Sequence, residues 1–274
     1  MITILASPPA ASARWSDLAD ELDRWGEEGR TATLWWRDDD AAAPSRRLGD
    51  LLATAGATPV ALAVIPATAD RAFAIWLARA AAAPVGILQH GWRHRNHAGG
   101  GKKSEFPPSR SPDEIAADLG EGRRRLVALF GARALAVLAP PWNRFEDALL
   151  PLLPAAGIGA ISRIKPRLAA WPTPDVFAAN VHIDLIAWRG NRGFVGEAAA
   201  LGGLVGHLRV RRCGEADPDE PTGILTHHLV QDEATGAFLG RLLGRTRAHP
   251  AARWLDAGEV FAPSMAASGT TVQA

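Results

Sequence analysis

The segment TATLWWRDDD, residues 31–40, decides the architecture. Thr31 to Arg37 is a short apolar run rich in tryptophan, which predicts a buried strand, and it stops abruptly at Asp38, Asp39 and Asp40. A strand therefore delivers three acids at its end. On the N-terminal side, Ser12 to Glu28 carries Trp15, Leu18, Leu22 and Trp25 at spacings of three and four. That is the stripe of an amphipathic helix, and its tryptophans read as core. On the C-terminal side, Pro44 to Ala55 suits a helix, Pro59 to Ile65 a strand, Ala69 to Ala82 a helix and Val85 to Gln89 a strand. Continuous apolar strands alternating with helices predict a parallel sheet covered on both faces.

The rhythm continues. Gly99 to Ser111 reads as a long irregular loop containing Lys102 and Lys103, of the length often found in functional lids. Pro112 to Phe130 is a helix opened by Ser111 and closed by Gly131. Ala134 to Ala139 is a strand, Asp147 to Ala156 and Ile158 to Ser162 extend the alternation, and Ala178 to Asp184 is a further strand. Glu197 to Arg211 is a helix, Gly223 to Thr226 a last strand and Ala234 to Arg247 a last helix. With 274 residues, 47% of them hydrophobic, the chain has the size of a single α/β barrel. Residues 1–29 are expected to form an N-terminal helical extension, 30–262 the barrel and 263–274 a disordered tail.

A formal net charge of +1 gives no bulk attraction to nucleic acid or to a membrane, so the expected partner is a small molecule. Cys213 is the only cysteine, which excludes an internal disulfide, and beside Arg211 and Arg212 it reads as an incidental thiol in a polar loop. Met1 to Ala11 has no basic leader and is broken by Pro8 and Pro9, so no signal peptide is expected. Apolar runs stop well short of the roughly 20 residues of a membrane span. The expected location is the cytoplasm.

Three features begin where predicted strands end: Asp38-Asp39-Asp40, His90-Gly91-Trp92-Arg93-His94 and His227-His228. In a parallel barrel those ends share one rim, where active sites are assembled. Adjacent carboxylates raise one another's pKa unless a cation lies between them. Imidazole and carboxylate together suit a divalent metal: zinc first, with cobalt, nickel, manganese or iron as alternatives. Two His and one Asp leave positions open for water and substrate, a catalytic rather than a structural arrangement. His94 and His97 form an alternative pair, three residues apart. His182-Ile183-Asp184 has the spacing of a non-haem iron site, a competing reading that the βα alternation disfavours.

These residues resemble the polysaccharide deacetylases, the NodB-homology domains of carbohydrate esterase family four. Trp36-Arg37-Asp38-Asp39-Asp40 looks like the family's paired-Asp motif, His90 to His94 its His-x-x-x-His, Pro140-Pro141-Trp142-Asn143 its Pro-containing loop and Leu225-Thr226-His227 its Leu-x-His. Ala178 to Trp188, with Asp184 and Trp188, is similar to the fourth motif. The order agrees over residues 31–230. The resemblance implies a distorted (β/α) barrel of seven or eight parallel strands in one domain. It implies a metal on Asp40, His90 and His94, with Asp39 as base and His227 as acid. A register pairing Asp38 with Asp39 stays open, and His228 competes with His227. The family's third motif carries an Arg that orients the catalytic Asp, but Ala139 stands there, leaving Arg37 or Arg144 to replace it.

On that reading the chain removes acetyl or similar acyl groups from a carbohydrate-like amide or ester. The metal lowers the pKa of a water from about 15.7 toward 7, Asp39 takes its proton and His227 protonates the leaving group. A backbone N–H near Trp142 is a candidate oxyanion donor. Trp92, Pro141, Trp142, Asn143, Arg144 and Trp188 are expected to line the substrate, while Trp35 or Trp36 packs in the barrel. A catalytically silent carbohydrate- or metal-binding protein of the same fold is the alternative that Ala139 favours.

Overall fold

The computed structural model describes residues 13–269, so the reading of Met1 to Ala11 lies outside the described residues. β1 (Ala32–Ala41) is the central strand. It runs through the acid triplet and ends four residues later than the apolar pattern alone indicates. Alternation holds along its apolar part. Leu34 and Trp36 join the core under the helices, while Trp35 joins a separate core inside the barrel, so both tryptophans are buried.

The elements follow as α2 (Arg46–Ala55), β2 (Val60–Val64), α3 (Arg71–Ala80), β3 (Val85–Gln89), α4 (Pro112–Phe130), β4 (Ala134–Leu138), α5 (Leu152–Ala155) and β5 (Ala160–Ile161). Then come β6 (Phe177–Ala178), β7 (Ile183–Asp184), α6 (Glu197–Arg212), β8 (Thr222–Thr226), α7 (Glu233–Ala248), β9 (Ala252–Trp254), α8 (Ala257–Val260) and α9 (Ala262–Gly269). Ser45, Asp70 and Asp232 cap α2, α3 and α7 with side-chain oxygens. α1 (Trp15–Glu27) buries Trp15, Leu18, Leu22 and Trp25 and packs on α6, where Glu21 accepts from Arg212 Nε at 2.7 Å. It belongs to the helical shell.

All named strand pairs are parallel, in the order β6-β5-β4-β3-β2-β1-β8-β7, with β9 alongside the start of β1. β6 and β7 lie on one extended run. Phe177 and Ala179 donate to Gly159 and Ile161 beside β5, and His182 and Leu185 donate to Gly223 and Leu225 of β8. The run joins the two flanks of the sheet, so the strands form a distorted βα barrel, as the alternation predicted.

Two expectations are revised. Asp147 to Ala156 is a 3₁₀ turn (Asp147–Leu149) followed by the short α5, because Pro151 and Pro154 remove backbone donors. The tail, read as disordered from Pro263, begins as the helix α9, while residues 270–274 lie outside the described ones. No helix among the described residues is long and apolar enough to cross a membrane.

The barrel interior is narrow, built from Ala61, Ala63, Ala139, Ala160 and Ala179 around Trp35, whose ring meets Phe261 edge-on at 5.6 Å. Trp35 Nε1 donates to the Asn180 carbonyl at 3.1 Å. A Cβ at Gly223 would lie 2.4 Å from Trp35 Nε1 and 2.7 Å from that same carbonyl oxygen. Gly223→Ala is therefore expected to destabilise the fold by about 1–3 kcal/mol through overpacking. A urea midpoint equal to that of the parent chain would contradict this.

Candidate metal centre and its surroundings

The three consecutive acids end in three different environments. Asp39 shares Arg37's inward face and is gripped by it: Arg37 Nε donates to Asp39 Oδ1 at 2.8 Å and Nη2 to Oδ2 at 3.0 Å. Asp38 faces the shell and is buried there, accepting from Thr226 Oγ1 at 2.6 Å, the His228 N–H at 3.0 Å and His228 Nδ1 at 2.5 Å. Plain alternation would send Asp40 the same way as Asp38. Instead the β1–β2 register shifts between Asp38 and Ala41, and Asp40 adopts a left-handed φ of 70°. Such irregularities re-aim side chains, and here the carboxylate comes to the mouth.

There Asp40 Oδ1 lies 3.2 Å from His90 Nε2 and 3.2 Å from His94 Nε2. The ligand-capable atoms of the three residues fall within 4.8 Å of one another. His90 Nδ1–H donates to the Ala139 carbonyl at 2.8 Å, which fixes the tautomer and leaves Nε2 free to coordinate. Burial disfavours charge on His90, but Asp39 and Asp40 outweigh it and raise its pKa. Burial lowers that of His94. Burial alone would raise the Asp40 pKa, yet His90, His94 and His227 pull it well below the usual carboxylate range. One carboxylate kept ionised beside two imidazoles is the donor set a borderline divalent cation takes.

His94 also takes a left-handed φ of 53°, and its ring lies 4.4 Å from Trp142. Trp142 and Asn143 are left-handed in turn, at 56° and 55°. Such backbone is costly and persists where surroundings enforce it. Asn143 Oδ1 is held by Arg37 Nη2 at 2.6 Å, and Arg37 Nη1 donates to the Ser162 carbonyl and hydroxyl at 2.8 and 2.9 Å. Arg37 is thus the arginine that orients Asp39. Arg144 is occupied elsewhere, donating to the Lys103 carbonyl.

His227 Nε2 lies 3.8 Å from Asp39 Oδ2, and its ring meets Trp188 edge-on at 4.7 Å. Trp188 Nε1 donates to Asp184 Oδ2 at 2.7 Å. Burial raises the Asp184 pKa, against the opposing pull of His227. His228 points away from the mouth into Asp38, so of the two histidines His227 faces the acids of the site. His97 is exposed and outside the cluster, its N–H bonded to the Ser104 carbonyl at 2.8 Å. Trp92 flanks the site half-buried, with Arg93 stacked 5.6 Å over its ring.

Sequence reasoning missed Glu105. It lies in the glycine loop read as a lid, yet Ser104 to Pro107 are buried. Its carboxylate accepts from the Trp92 N–H at 3.2 Å and the Arg93 N–H at 2.7 Å, bracing the segment between His90 and His94. A Cβ at Gly91, where φ is 63°, would lie 1.8 Å from Glu105 Oε2. An acid two residues before Pro107 in an otherwise glycine- and lysine-rich loop was the only available signal. Glu105→Gln keeps the volume but presents an NH₂ to one of those N–H groups, and metal affinity is expected to fall about 10- to 100-fold. Calorimetric metal titration checks this; unchanged affinity would remove Glu105 from the site.

A second group, His182, His207 and Glu220, also brings its ligand-capable atoms together. The Gly223 N–H donates to His182 Nδ1 at 2.9 Å, so in the neutral ring Nε2 carries the proton and faces Glu220 Oε2, 3.3 Å away. A ring protonated at Nε2 cannot coordinate through it. The iron-site reading of His182 with Asp184 fails as well, because His182 turns to Glu220 and Asp184 to Trp188.

No protein-family model matches the sequence, and no curated protein matches it. Solved structures do resemble it. A putative polysaccharide deacetylase from Mycobacterium smegmatis is similar at a TM-score of 0.58 and 16% identity, covering 96% of each chain. A family 4 acetyl xylan esterase from Clostridium thermocellum, solved with a cobalt ion, is similar at 0.50 and 13%, covering 84% of this chain and 91% of that one. The Bc1960 peptidoglycan N-acetylglucosamine deacetylase is similar at 0.50 and 15%, covering 87% and 95%. The chain has the fold of the polysaccharide deacetylases.

Proposed function

We propose that the protein is a divalent-metal-dependent hydrolase that removes acetyl or similar acyl groups from a carbohydrate-like amide or ester. The observation that carries this reading is the convergence of Asp40, His90 and His94 within 4.8 Å, beside an independently held carboxylate, Asp39. Asp40, His90 and His94 would hold the ion, zinc foremost among zinc, cobalt, nickel, manganese and iron. It would supply Lewis acidity to a substrate carbonyl and acidity to a water. Asp39 is the base that accepts the proton of the attacking water, its orientation set by Arg37. His227 delivers a proton to the departing amine or alcohol. The imidazolium form of its ring delivers that proton and returns to neutral imidazole, and Asp184 lies close enough to act on its charge. The Asn143 and Arg144 N–H groups are already bonded to Pro140 and Pro141, which leaves the Trp142 N–H as the candidate donor to a developing oxyanion. Trp92, Trp142, Trp188 and Arg144 line the approach.

The test joins metal analysis to catalysis. The purified chain is expected to bind about one divalent ion and to release acetate from an N-acetylated oligosaccharide or a generic acetyl ester, with loss on chelation and recovery on reloading. A chain that binds metal at this site but hydrolyses neither substrate would support the silent metal- or carbohydrate-binding reading instead.

A further inference from the structure

A groove of about 1330 Å³ opens next to Asn143, which lies in its lining and is one hydrogen bond from the Arg37 clamp. The volume exceeds the roughly 300–1,000 Å³ of a typical small-ligand pocket, so it suits an extended molecule. The glycine loop contributes Lys102 to its lining, the turn after β4 contributes Arg144 and the segment after β5 contributes Lys165. In all, five cationic and three acidic residues line it.

The distribution of lysine is the informative part. The chain contains 27 arginines but only three lysines, Lys102, Lys103 and Lys165. Two of them line this groove and the third adjoins Lys102. All three are exposed, and none is ion-paired among the described residues. The arginines of the same lining are mostly occupied: Arg163 pairs with Asp147 at 2.7 Å, Arg167 with Asp217 at 2.9 Å, and Arg144 bonds to the Lys103 carbonyl. Arg144 has no acid partner either, and among the described residues Glu146 and Glu215 of the lining have no basic one, so the unpaired groups of the groove are three cations, two of them lysines, and two acids. Lys165 follows Ser162, a partner of Arg37, by three residues, a reach of up to about 10 Å along extended chain. That is the scale of neighbouring sugars rather than of the reacting group.

We propose that the substrate is an N-acylated oligosaccharide that carries carboxylate groups, and that Lys102 and Lys165 bind a carboxylate one or two sugars away from the acyl group placed at the metal. This rests on the hydrolase reading above and extends it to a substrate class. Lys102 and Lys165 select for negative charge at that position, and the metal centre performs the same chemistry whatever lies in the groove.

The experiment compares two tetrasaccharides on the zinc-loaded chain: one wholly of N-acetylglucosamine and one alternating N-acetylglucosamine with glucuronate. The acidic compound is expected to show the lower KM. That advantage should shrink between about 50 mM and 500 mM salt, because exposed charges are screened. In Lys102→Glu/Lys165→Glu the ratio of kcat/KM for acidic over neutral substrate is expected to fall at least about 10-fold, with the unfolding midpoint retained. Equal use of both compounds at low salt overturns the proposal. Binding is measured separately by calorimetry on the zinc-loaded Asp39→Asn chain, so absence of hydrolysis does not decide it. Preferential binding of the acidic compound by that variant, with no turnover of either compound by the parent chain, supports the groove assignment while sinking the hydrolase reading. Binding of neither compound overturns the assignment, as does inorganic phosphate competing at millimolar concentration as well as the acidic tetrasaccharide does.

Discussion

Asp39→Asn is expected to lower hydrolysis by about 10²- to 10⁴-fold while leaving metal content unchanged. The two halves of this result have separate structural origins. Asparagine has nearly the shape of aspartate, so the Arg37 contact at Oδ1 can persist. It cannot take a proton from water at neutral pH, and base catalysis is lost. The carboxylate beside His90 and His94 is Asp40, which the shift in strand register turns to the mouth, so Asp39→Asn is expected to remove no ligand. Asp40→Asn should do the reverse and empty the site. Rate measurement beside elemental analysis separates the two variants. Loss of the metal on Asp39→Asn would mean that the triplet is used in the other register.

The second large effect is expected at Arg37, a fully buried side chain. Its guanidinium donates twice to Asp39, twice to Ser162 and once to Asn143. Arg37→Leu would leave the Asp39 carboxylate buried with its charge uncompensated, at a cost of about 3–5 kcal/mol. Lysine is no substitute, since a single ammonium cannot reproduce the planar fork. The decisive variant is the pair Arg37→Leu/Asp39→Leu, which removes both charges and should regain most of the lost stability in urea unfolding. A double variant no more stable than the single one would place the cost in packing rather than in the orphaned charge.

Much of this site is legible in the sequence because its chemistry is periodic. His90 and His94 stand at a recognisable spacing after an apolar strand, and Asp40 closes another. Arg37 is legible too, since residues two apart on a strand share a face, and that geometry decides between it and Arg144. Which acid goes where is harder to read. Simple alternation gives Asp38 and Asp40 the same direction, and only a backbone irregularity, invisible to side-chain patterning, separates them. His227 and His228 are adjacent and chemically identical, and burial of Asp38 behind Thr226 is what claims one of them. Glu105 was hidden for a different reason. Glycines and prolines around it mark a loop, and nothing in a loop's composition says that its middle turns inward. β9 has three residues and no apolar stripe, so no pattern marks it.

The position of β1 has a consequence for how the molecule comes into being. This strand lies near the N terminus, yet its hydrogen-bonded neighbours include β8 and β9 near the C terminus, and Asp38 reaches His228 across 190 positions. Contacts so remote in sequence form late, because a long loop must close before they are made. The mouth is complete only after the C-terminal strands have docked on the N-terminal one. On the proposed function, high-affinity metal capture is therefore expected only of a finished chain: a C-terminally clipped molecule carries Asp40 on β1 without the strands that hold β1 in place.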